Sequence, residues 1–231
     1  MACKSRRMQV DVAGGSLFVE VNGGGPALLM IHGWPLDHRL FVRQVGPLSE
    51  SLRVITFDRR GFGQSTAPPG MDAELSDIDA LLDALGLDSA HILGMSQGGR
   101  LALRYAATRP ARVRSLILQG AAVDGVDVEE RAEERVPVSE FAALAKAGRL
   151  ESVIKQWLAH PMMNRPPLDA ETTQIVDEIL HGYTGRDLVD FGAGTYAFAV
   201  DVLKRLSNFD PPVLVLTGAK ETAARHAHAA E

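Results

Sequence analysis

Short apolar runs alternate with amphipathic stretches along most of this chain. The later runs are continuously apolar, which is typical of parallel strands that are covered on both faces. A regular succession of strand and helix predicts an α/β protein with a mostly parallel, twisted sheet and right-handed crossovers. The seven predicted strands lie at residues 9–12, 17–21, 27–31, 53–57, 90–95, 114–118 and 212–217.

Two helices carry clear signals at their ends. One is predicted over residues 99–109, because Pro110 cannot continue a helix. In the other, Ser76 and Asp79 have the spacing of a capping box, with Asp in the last place. Apolar residues then recur at helical intervals up to Gly86, which stands at the expected stop. The pattern predicts a helix that begins at Ser76 and ends just before Gly86.

The segment from residue 122 to residue 208 differs from the rest, because no run in it resembles a strand. A charged stretch at residues 129–135 is most simply the solvated face of a helix. We predict that residues 1–121 and 209–231 form the α/β core and that residues 122–208 form a separate helical unit. The helical stripes in this unit include Phe141, Leu144 and Ala145, then Val153, Ile154, Trp157 and Leu158.

Composition and net charge limit the classes of protein to which the chain could belong. The chain has 231 residues, of which 46% are hydrophobic and 23% charged, as in ordinary globular proteins. Its net charge of −5 argues against a nucleic-acid partner. The single cysteine, Cys3, cannot form an internal disulfide and is expected to be inert in a loose N-terminus. No signal-peptide or membrane-spanning pattern is present, so we expect a cytoplasmic protein without a membrane partner.

The most informative chemistry lies at residues 94–98, which read G-x-S-x-G with Ser96 at the centre. A predicted strand leads into this motif and a predicted helix leads out, so Ser96 occupies a tight turn with its hydroxyl exposed. Gly94 and Gly98 relieve crowding in that turn, and the N-terminus of the helix favours negative charge beside the serine. The motif predicts a serine nucleophile for acyl transfer.

Three further motifs follow predicted strands: His32-Gly33-Trp34-Pro35, residues 58–65 and residues 217–221. With G-x-S-x-G, they make the chain resemble the α/β-hydrolase fold family in its serine esterase, lipase and lactonase branch. Within that branch it is similar to the cofactor-free haloperoxidases, which are perhydrolase-type esterases. The resemblance implies a sheet with helices on both faces and a helical cap after the sixth strand, at residues 122–208. It also implies hydrolysis of a small-molecule ester or lactone without any cofactor or metal.

The resemblance assigns roles around the serine. Trp34 and Gln97 would supply the two backbone N–H groups of an oxyanion hole. Trp34 and Met95 would form walls of the substrate pocket, and His32 would have a structural role beneath the oxyanion loop. Serine rather than aspartate at position 96 excludes the dehalogenase and epoxide-hydrolase route, whereas hydrolysis of carbon–carbon bonds in ring-cleavage products stays open.

The acid and the base of a catalytic triad are harder to assign. Glu221 occupies the family's acid position after strand seven, and Asp124, just after strand six, is a second candidate. The family's histidine follows an eighth strand, whereas only His226 and His228 follow Glu221 here, on a predicted helix that turns them away from Ser96. We expect the family's final strand, helix and histidine to be absent from this chain. Truncation, a longer parent chain or a neighbouring subunit would each explain that absence.

The missing histidine opens an alternative function and a prediction about assembly. The alternative is a catalytically impaired hydrolase-fold protein that binds ligand or is an inactive fragment. Strand seven would also be an unpaired apolar edge, and such edges favour pairing with another chain. We therefore predict a homodimer that forms through strand seven.

Overall fold

The computed structural model describes residues 5–126, 128–129, 131–163, 167–190 and 202–230. Cys3 lies outside these residues. All seven predicted strands are present, within a few residues of their expected bounds. They are β1 (Arg6–Val12), β2 (Gly15–Asn22), β3 (Ala27–Ile31), β4 (Arg53–Phe57), β5 (Ala90–Met95), β6 (Val113–Gln119) and β7 (Val213–Leu216).

The strands form one sheet in the order β1-β2-β4-β3-β5-β6-β7. The pairs β1–β2 and β2–β4 are antiparallel, and every pair from β4 to β7 is parallel. The predicted α/β class with a mostly parallel sheet is therefore confirmed. Because parallel strands end at the same edge, the loops after β3, β5 and β6 meet there.

Helices cover both faces of the sheet. The α-helices are α1 (Val42–Ser49), α2 (Met71–Ala84), α3 (Gln97–Thr108), α4 (Val138–Lys146), α5 (Leu150–Leu158), α6 (Ala170–His181), α7 (Arg186–Asp190), α8 (Val202–Leu206) and α9 (Ala223–Ala230). Short 3-10 turns lie at His38–Phe41, Pro110–Arg112, Ala132–Glu134 and Pro161–Met163. No described helix is both long enough and apolar enough to cross a membrane.

Alternate residues of the central strands pack into two different cores. In β3, Leu29 and Ile31 join a large apolar cluster with α2 and α3, whereas Leu28 and Met30 join a smaller one beside α1. This follows from the two-residue period of a strand, which sends neighbouring side chains to opposite faces. All five residues of β3 are buried, as the continuous apolar run predicts.

The helix predicted from Ser76 begins five residues earlier, at Met71. Ser76 is exposed in the middle of α2, and Asp79 accepts a hydrogen bond from the Tyr105 hydroxyl instead of capping the helix. The earlier start places Glu74 in a buried ion pair with Arg59, which a local capping pattern cannot reveal. The C-terminal prediction agrees with the structure, because α2 ends at Ala84 and Gly86 follows with a φ of 66°.

Between β6 and β7 the described residues contain helices and turns and no strand. The buried residues of α4 and α5 include Phe141, Val153 and Trp157, and they form an apolar cluster separate from the sheet cores. The charged stretch differs from its prediction, since Ala132–Glu134 is a 3-10 turn and Glu134 is buried. The boundaries of the proposed helical unit, residues 122 and 208, stay a prediction.

The last strand, β7, departs from the burial expected of a continuous apolar run. It pairs with β6 and ends the sheet, and its four residues are 43–52% exposed. Helices therefore cover the faces of β7 much less completely than those of β3 or β4. The position of β7 at the end of the sheet agrees with the prediction of strand seven as an apolar edge.

Candidate active site

Ser96 occupies a strained turn between β5 and α3. Its φ of 53° and ψ of −116° make it the one residue other than glycine with a positive φ among those described. A Cβ on Gly94 would lie 2.4 Å from the Gly98 carbonyl oxygen, and a Cβ on Gly98 would lie 2.3 Å from the Ile31 carbonyl oxygen. Only glycine fits at either position, so the motif fixes the backbone that presents the Ser96 side chain.

The loop after β3 lies directly beside this turn. A Cβ on Gly33 would be 3.2 Å from the Cβ of Ser96, so the Gly33–Trp34 backbone approaches the serine closely. Within the described part of the chain, neither the Trp34 N–H nor the Gln97 N–H donates a hydrogen bond. Gln97 is also the first residue of α3, whose N-terminus carries partial positive charge. Neither N–H group therefore has an acceptor among the described residues.

Two cavities open at Ser96, and Trp34, Trp157 and Met162 line both of them. The smaller, of about 220 Å³, is mainly apolar and also contacts Gln97. The larger, of about 420 Å³, extends along Met95, Gly120 and Glu221. Met95, a predicted pocket wall, lines only the larger cavity, whereas Trp34 lines both.

A buried ion pair between Arg59 and Glu74 holds the Gln97 side chain. The Arg59 guanidinium donates two hydrogen bonds to the Glu74 carboxylate, of 2.8 and 3.0 Å, and one of 2.7 Å to Gln97 Oε1. The Arg59 and Glu74 side chains are nearly inaccessible to solvent. Burial raises the pKa of Glu74, although the Arg59 charge opposes that shift. Sequence analysis missed this pair, since nothing local in the sequence joins residues 59, 74 and 97.

His32 is fully buried and has the structural role that the resemblance implies. Its Nδ1 lies 2.8 Å from the Gly33 carbonyl oxygen, and its Nε2 accepts a hydrogen bond of 3.0 Å from the Arg59 backbone N–H. The neutral imidazole with a proton on Nδ1 satisfies both contacts. Burial, together with the Arg59 charge, lowers the pKa of His32 to about 4. His32 therefore positions the Gly33 backbone.

The two acid candidates lie in different surroundings. Glu221 follows β7, lines the larger cavity with Ser96 and is half-buried. Asp124 forms ion pairs with Arg100 and Arg104. Burial alone would raise the pKa of Asp124, but hydrogen bonds from the two arginines outweigh burial and lower it. The two arginines thus engage the Asp124 carboxylate, whereas Glu221 shares a cavity with Ser96.

All seven histidines belong to the described residues, and none of them forms a hydrogen bond with the Ser96 hydroxyl. His226 is exposed on α9, and His228 lies against a different cavity, beneath β7. The other contacts are His32 with Gly33 and Arg59, His38 with Asp58, His91 with Ser115, His160 with Arg135 and Met162, His181 with Asp177, and His228 with Val123.

One trio among the described residues has the composition of a metal site: Asp37, His38 and Asp58. Asp58 already accepts hydrogen bonds from the His38 ring, the His38 backbone and the Gln64 backbone. Burial would raise the pKa of Asp58, but these contacts outweigh burial and lower it. Asp37 in turn accepts hydrogen bonds from Arg39. The trio fits a buried hydrogen-bond network that shapes the loop after β4.

The fold agrees with comparisons against known proteins. A sequence model of the alpha/beta hydrolase fold matches residues 26–231, nearly the whole chain. The chain belongs to the α/β hydrolase fold family. Among solved structures, a bromoperoxidase from Bacillus anthracis superposes with a TM-score of 0.74 at 26% identity, covering 93% of this chain and 82% of that one.

Curated relatives match shorter segments of this α/β hydrolase. It is 41% identical over 112 residues to the AB hydrolase superfamily protein YisY of Bacillus subtilis, covering 46% of this chain and 42% of that protein. It is 35% identical over 156 residues to the pimeloyl-[acyl-carrier protein] methyl ester esterase of Chromobacterium violaceum, covering 65% and 59%. The chain thus spans about half the length of these two relatives.

Proposed function

We propose that this protein hydrolyses carboxylic esters or lactones of small molecules through an acyl-enzyme on Ser96. The observation that carries the proposal is the position of Ser96, on a strained turn where two cavities meet. The free N–H groups of Trp34 and Gln97 support it, and so does the likeness to an esterase from Chromobacterium violaceum. The helices between β6 and β7 serve as the cap over this site.

In the proposed reaction, Ser96 Oγ attacks the carbonyl carbon and gives up its proton to an imidazole base that a neighbouring subunit would supply, because no described histidine forms a hydrogen bond with the serine. The carbonyl oxygen becomes an oxyanion that accepts hydrogen bonds from the Trp34 and Gln97 N–H groups, each of which contributes about 2.7–4 kcal/mol to the transition state. Collapse of the intermediate releases the alcohol, or opens the lactone ring, with return of the proton. Water then attacks the acyl-enzyme, releases the acid and regenerates Ser96.

Glu221 is the proposed acid that orients the base, because it shares the larger cavity with Ser96. A Glu221→Gln variant should lose up to about 10⁴-fold in kcat, as expected when the acid of a triad loses its charge. Asp124→Asn is the comparison, since Asp124 is the other candidate. A larger loss of kcat in a folded Asp124→Asn variant would transfer the acid role to Asp124.

A second candidate function is binding without turnover. It is favoured by one observation, that no histidine of the described residues forms a hydrogen bond with the Ser96 hydroxyl. Serine without a base is a weak nucleophile. Such a protein would keep both cavities and bind an ester or a related ligand.

Hydrolysis of p-nitrophenyl acetate and butyrate separates the two functions. We expect turnover that Ser96→Ala abolishes and that Ser76→Ala leaves unchanged, because Ser76 is exposed on α2 away from both cavities. A fluorophosphonate probe should label Ser96 in the same preparation. Absence of both turnover and labelling, with retained binding of a non-hydrolysable butyl amide, would support the binding function and overturn the esterase proposal.

A further inference from the structure

A buried carboxylate from the helical segment contacts Trp34, which lines both cavities. Asp187, in α7, is 8% exposed. One of its oxygens accepts a hydrogen bond of 2.8 Å from the Trp34 indole N–H, and the other accepts one of 2.6 Å from the Tyr183 hydroxyl. The Trp34 indole nitrogen also lies 3.0 Å from the Tyr183 hydroxyl. The three groups therefore form a closed triangle of hydrogen bonds.

This carboxylate is costly to bury. No arginine or lysine of the described ranges forms an ion pair with Asp187. Burial raises the pKa of Asp187, and the hydrogen bonds from Tyr183 and Trp34, together with the charge of Arg59, which forms no ion pair with it, offset that shift only in part. A buried acid without a cationic partner destabilises a fold. An apolar residue at position 187 would remove that cost but would take an acceptor away from the Trp34 indole N–H and the Tyr183 hydroxyl, so the acid is matched to these two donors.

Asp187 contacts Trp34, and the proposed active site depends on Trp34. The Trp34 ring packs against Trp157 at 4.9 Å between centroids and against Phe141 at 5.9 Å. Its backbone supplies one proposed oxyanion donor, and its ring lines both cavities at Ser96. A rotation of the indole would therefore change the shape of both cavities and move the loop beside the nucleophile.

The two cavities take different parts of the substrate under the proposed function. A base returns its proton to the leaving alcohol, so the alcohol lies on the side of the acid that orients the base. Glu221 lines only the larger cavity. The acyl group then occupies the smaller one, of about 220 Å³, whose walls include Phe141 and Leu188. Helix α7 thus supplies both Leu188 to this cavity and Asp187 to its Trp34 wall.

We propose that Asp187, with Tyr183, is a positioning residue that holds the Trp34 ring as a wall of the cavity for the acyl group. The acid acts through Trp34 and does not touch the substrate. This inference rests on the proposed function for its catalytic meaning, whereas the contact between Asp187 and Trp34 is testable without turnover.

Fluorescence tests the contact first. Trp34 and Trp157 are the two tryptophans, so a Trp157→Phe background leaves Trp34 as the single reporter. In that background Asp187→Ala should shift the Trp34 emission to longer wavelength and increase its quenching by acrylamide. Asp187→Asn should retain most of the wild-type signal, because its amide oxygen still accepts from the indole. Asp190→Ala, at an exposed position of the same helix, is the matched control.

Kinetics tests the role. Against p-nitrophenyl esters of increasing acyl length, Asp187→Ala should lower kcat for acetate by roughly 10-fold to 100-fold, since small misplacements of a catalytic loop have effects of that size. It should also change the ratio of kcat/KM for acetate to kcat/KM for octanoate, which a merely structural role would not change. Tyr183→Phe should act in the same direction but less, and it provides a second variant if Asp187→Ala fails to fold.

The fluorescence test and the kinetic test can each contradict the proposal. Unchanged Trp34 fluorescence in Asp187→Ala would overturn the proposal whatever the activity. A changed fluorescence with unchanged kcat and acyl preference would overturn the positioning role while leaving the esterase intact. If Ser96-dependent turnover is absent, the proposed function fails. The relative affinity of the wild-type protein and of Asp187→Ala for butyl and octyl amides then decides whether Asp187 sets the cavity size.

Discussion

Arg59 lies beneath Gln97 and donates a hydrogen bond of 2.7 Å to its side-chain oxygen. The same guanidinium is held by the buried Glu74 carboxylate, so a charge pair inside the protein fixes the first residue of α3. This arrangement couples the stability of the fold to the geometry of the proposed oxyanion hole, because Gln97 contributes one of its two N–H groups.

We expect Glu74→Gln to lower the free energy of unfolding by about 3–5 kcal/mol, because it leaves the Arg59 charge buried without its counter-ion. Glu171→Gln is the matched control, since Glu171 pairs with Arg43 on an exposed surface and its loss should change stability by less than about 1 kcal/mol. Urea unfolding of both variants measures the difference. Equal effects of the two substitutions would contradict the importance of the buried pair.

A second prediction compares a glycine of the serine turn, Gly98, with a glycine that has free space around it, Gly46. Gly98→Ala should destabilise the fold by about 1–3 kcal/mol or more and abolish Ser96-dependent activity, because its Cβ would meet the Ile31 and His32 carbonyl oxygens at 2.3 and 2.5 Å. Gly46→Ala is the control, since Gly46 lies in α1 with no atom within 4 Å of its Cβ position. It should change unfolding by less than about 1 kcal/mol. A Gly98→Ala variant with normal stability and activity would show that the turn tolerates a side chain.

Local patterns predicted the strands and the serine turn because their causes are local. An apolar run such as 27–31 is buried on both faces, and Gly94 and Gly98 are required by contacts within one turn. The start of α2 was predicted wrongly, because a pair between Arg59 and Glu74 outweighs a capping pattern at Ser76.

Longer-range contacts left no comparable signal in the sequence. Trp34 and Asp187 are 153 residues apart, so no pattern within a helix or strand could join them. The spacing of Tyr183 and Asp187, four residues apart, could have indicated a shared contact and nothing about its partner. The apolar run of β7 resembles that of a covered strand, so its exposure was expected from the family resemblance and not from the run itself.

His32 predicts a pH dependence of stability. Its pKa is lowered from 6.5 to about 4 in the folded state, so the unfolded chain binds more protons between these values. The stabilising contribution is therefore fully present above pH 6.5 and is lost as the pH falls toward 4. Its total size is about 3 kcal/mol, because a tenfold change in a proton-binding constant corresponds to about 1.4 kcal/mol.

Chemical denaturation at intervals from pH 4 to pH 7 tests this dependence. His32→Gln should flatten the slope of the unfolding free energy in that range, even if the variant is less stable throughout. His181→Gln, at an exposed histidine, is the control for the substitution and should retain the wild-type slope. An unchanged slope in His32→Gln would mean that another group accounts for the acid sensitivity.

The prediction of a homodimer rests on the exposed edge at β7. Its four apolar residues are 43–52% exposed, and an uncovered apolar edge strand is a template for pairing with a second copy. Leu214→Lys places a charge on that edge and should weaken self-association by roughly tenfold or more, which corresponds to about 1.4 kcal/mol. Leu158→Lys is the control, because Leu158 is similarly exposed but lies on α5. Sedimentation velocity over a range of concentrations measures both. A monomeric wild-type protein, or equal effects of the two lysines, would exclude the β7 edge as the interface.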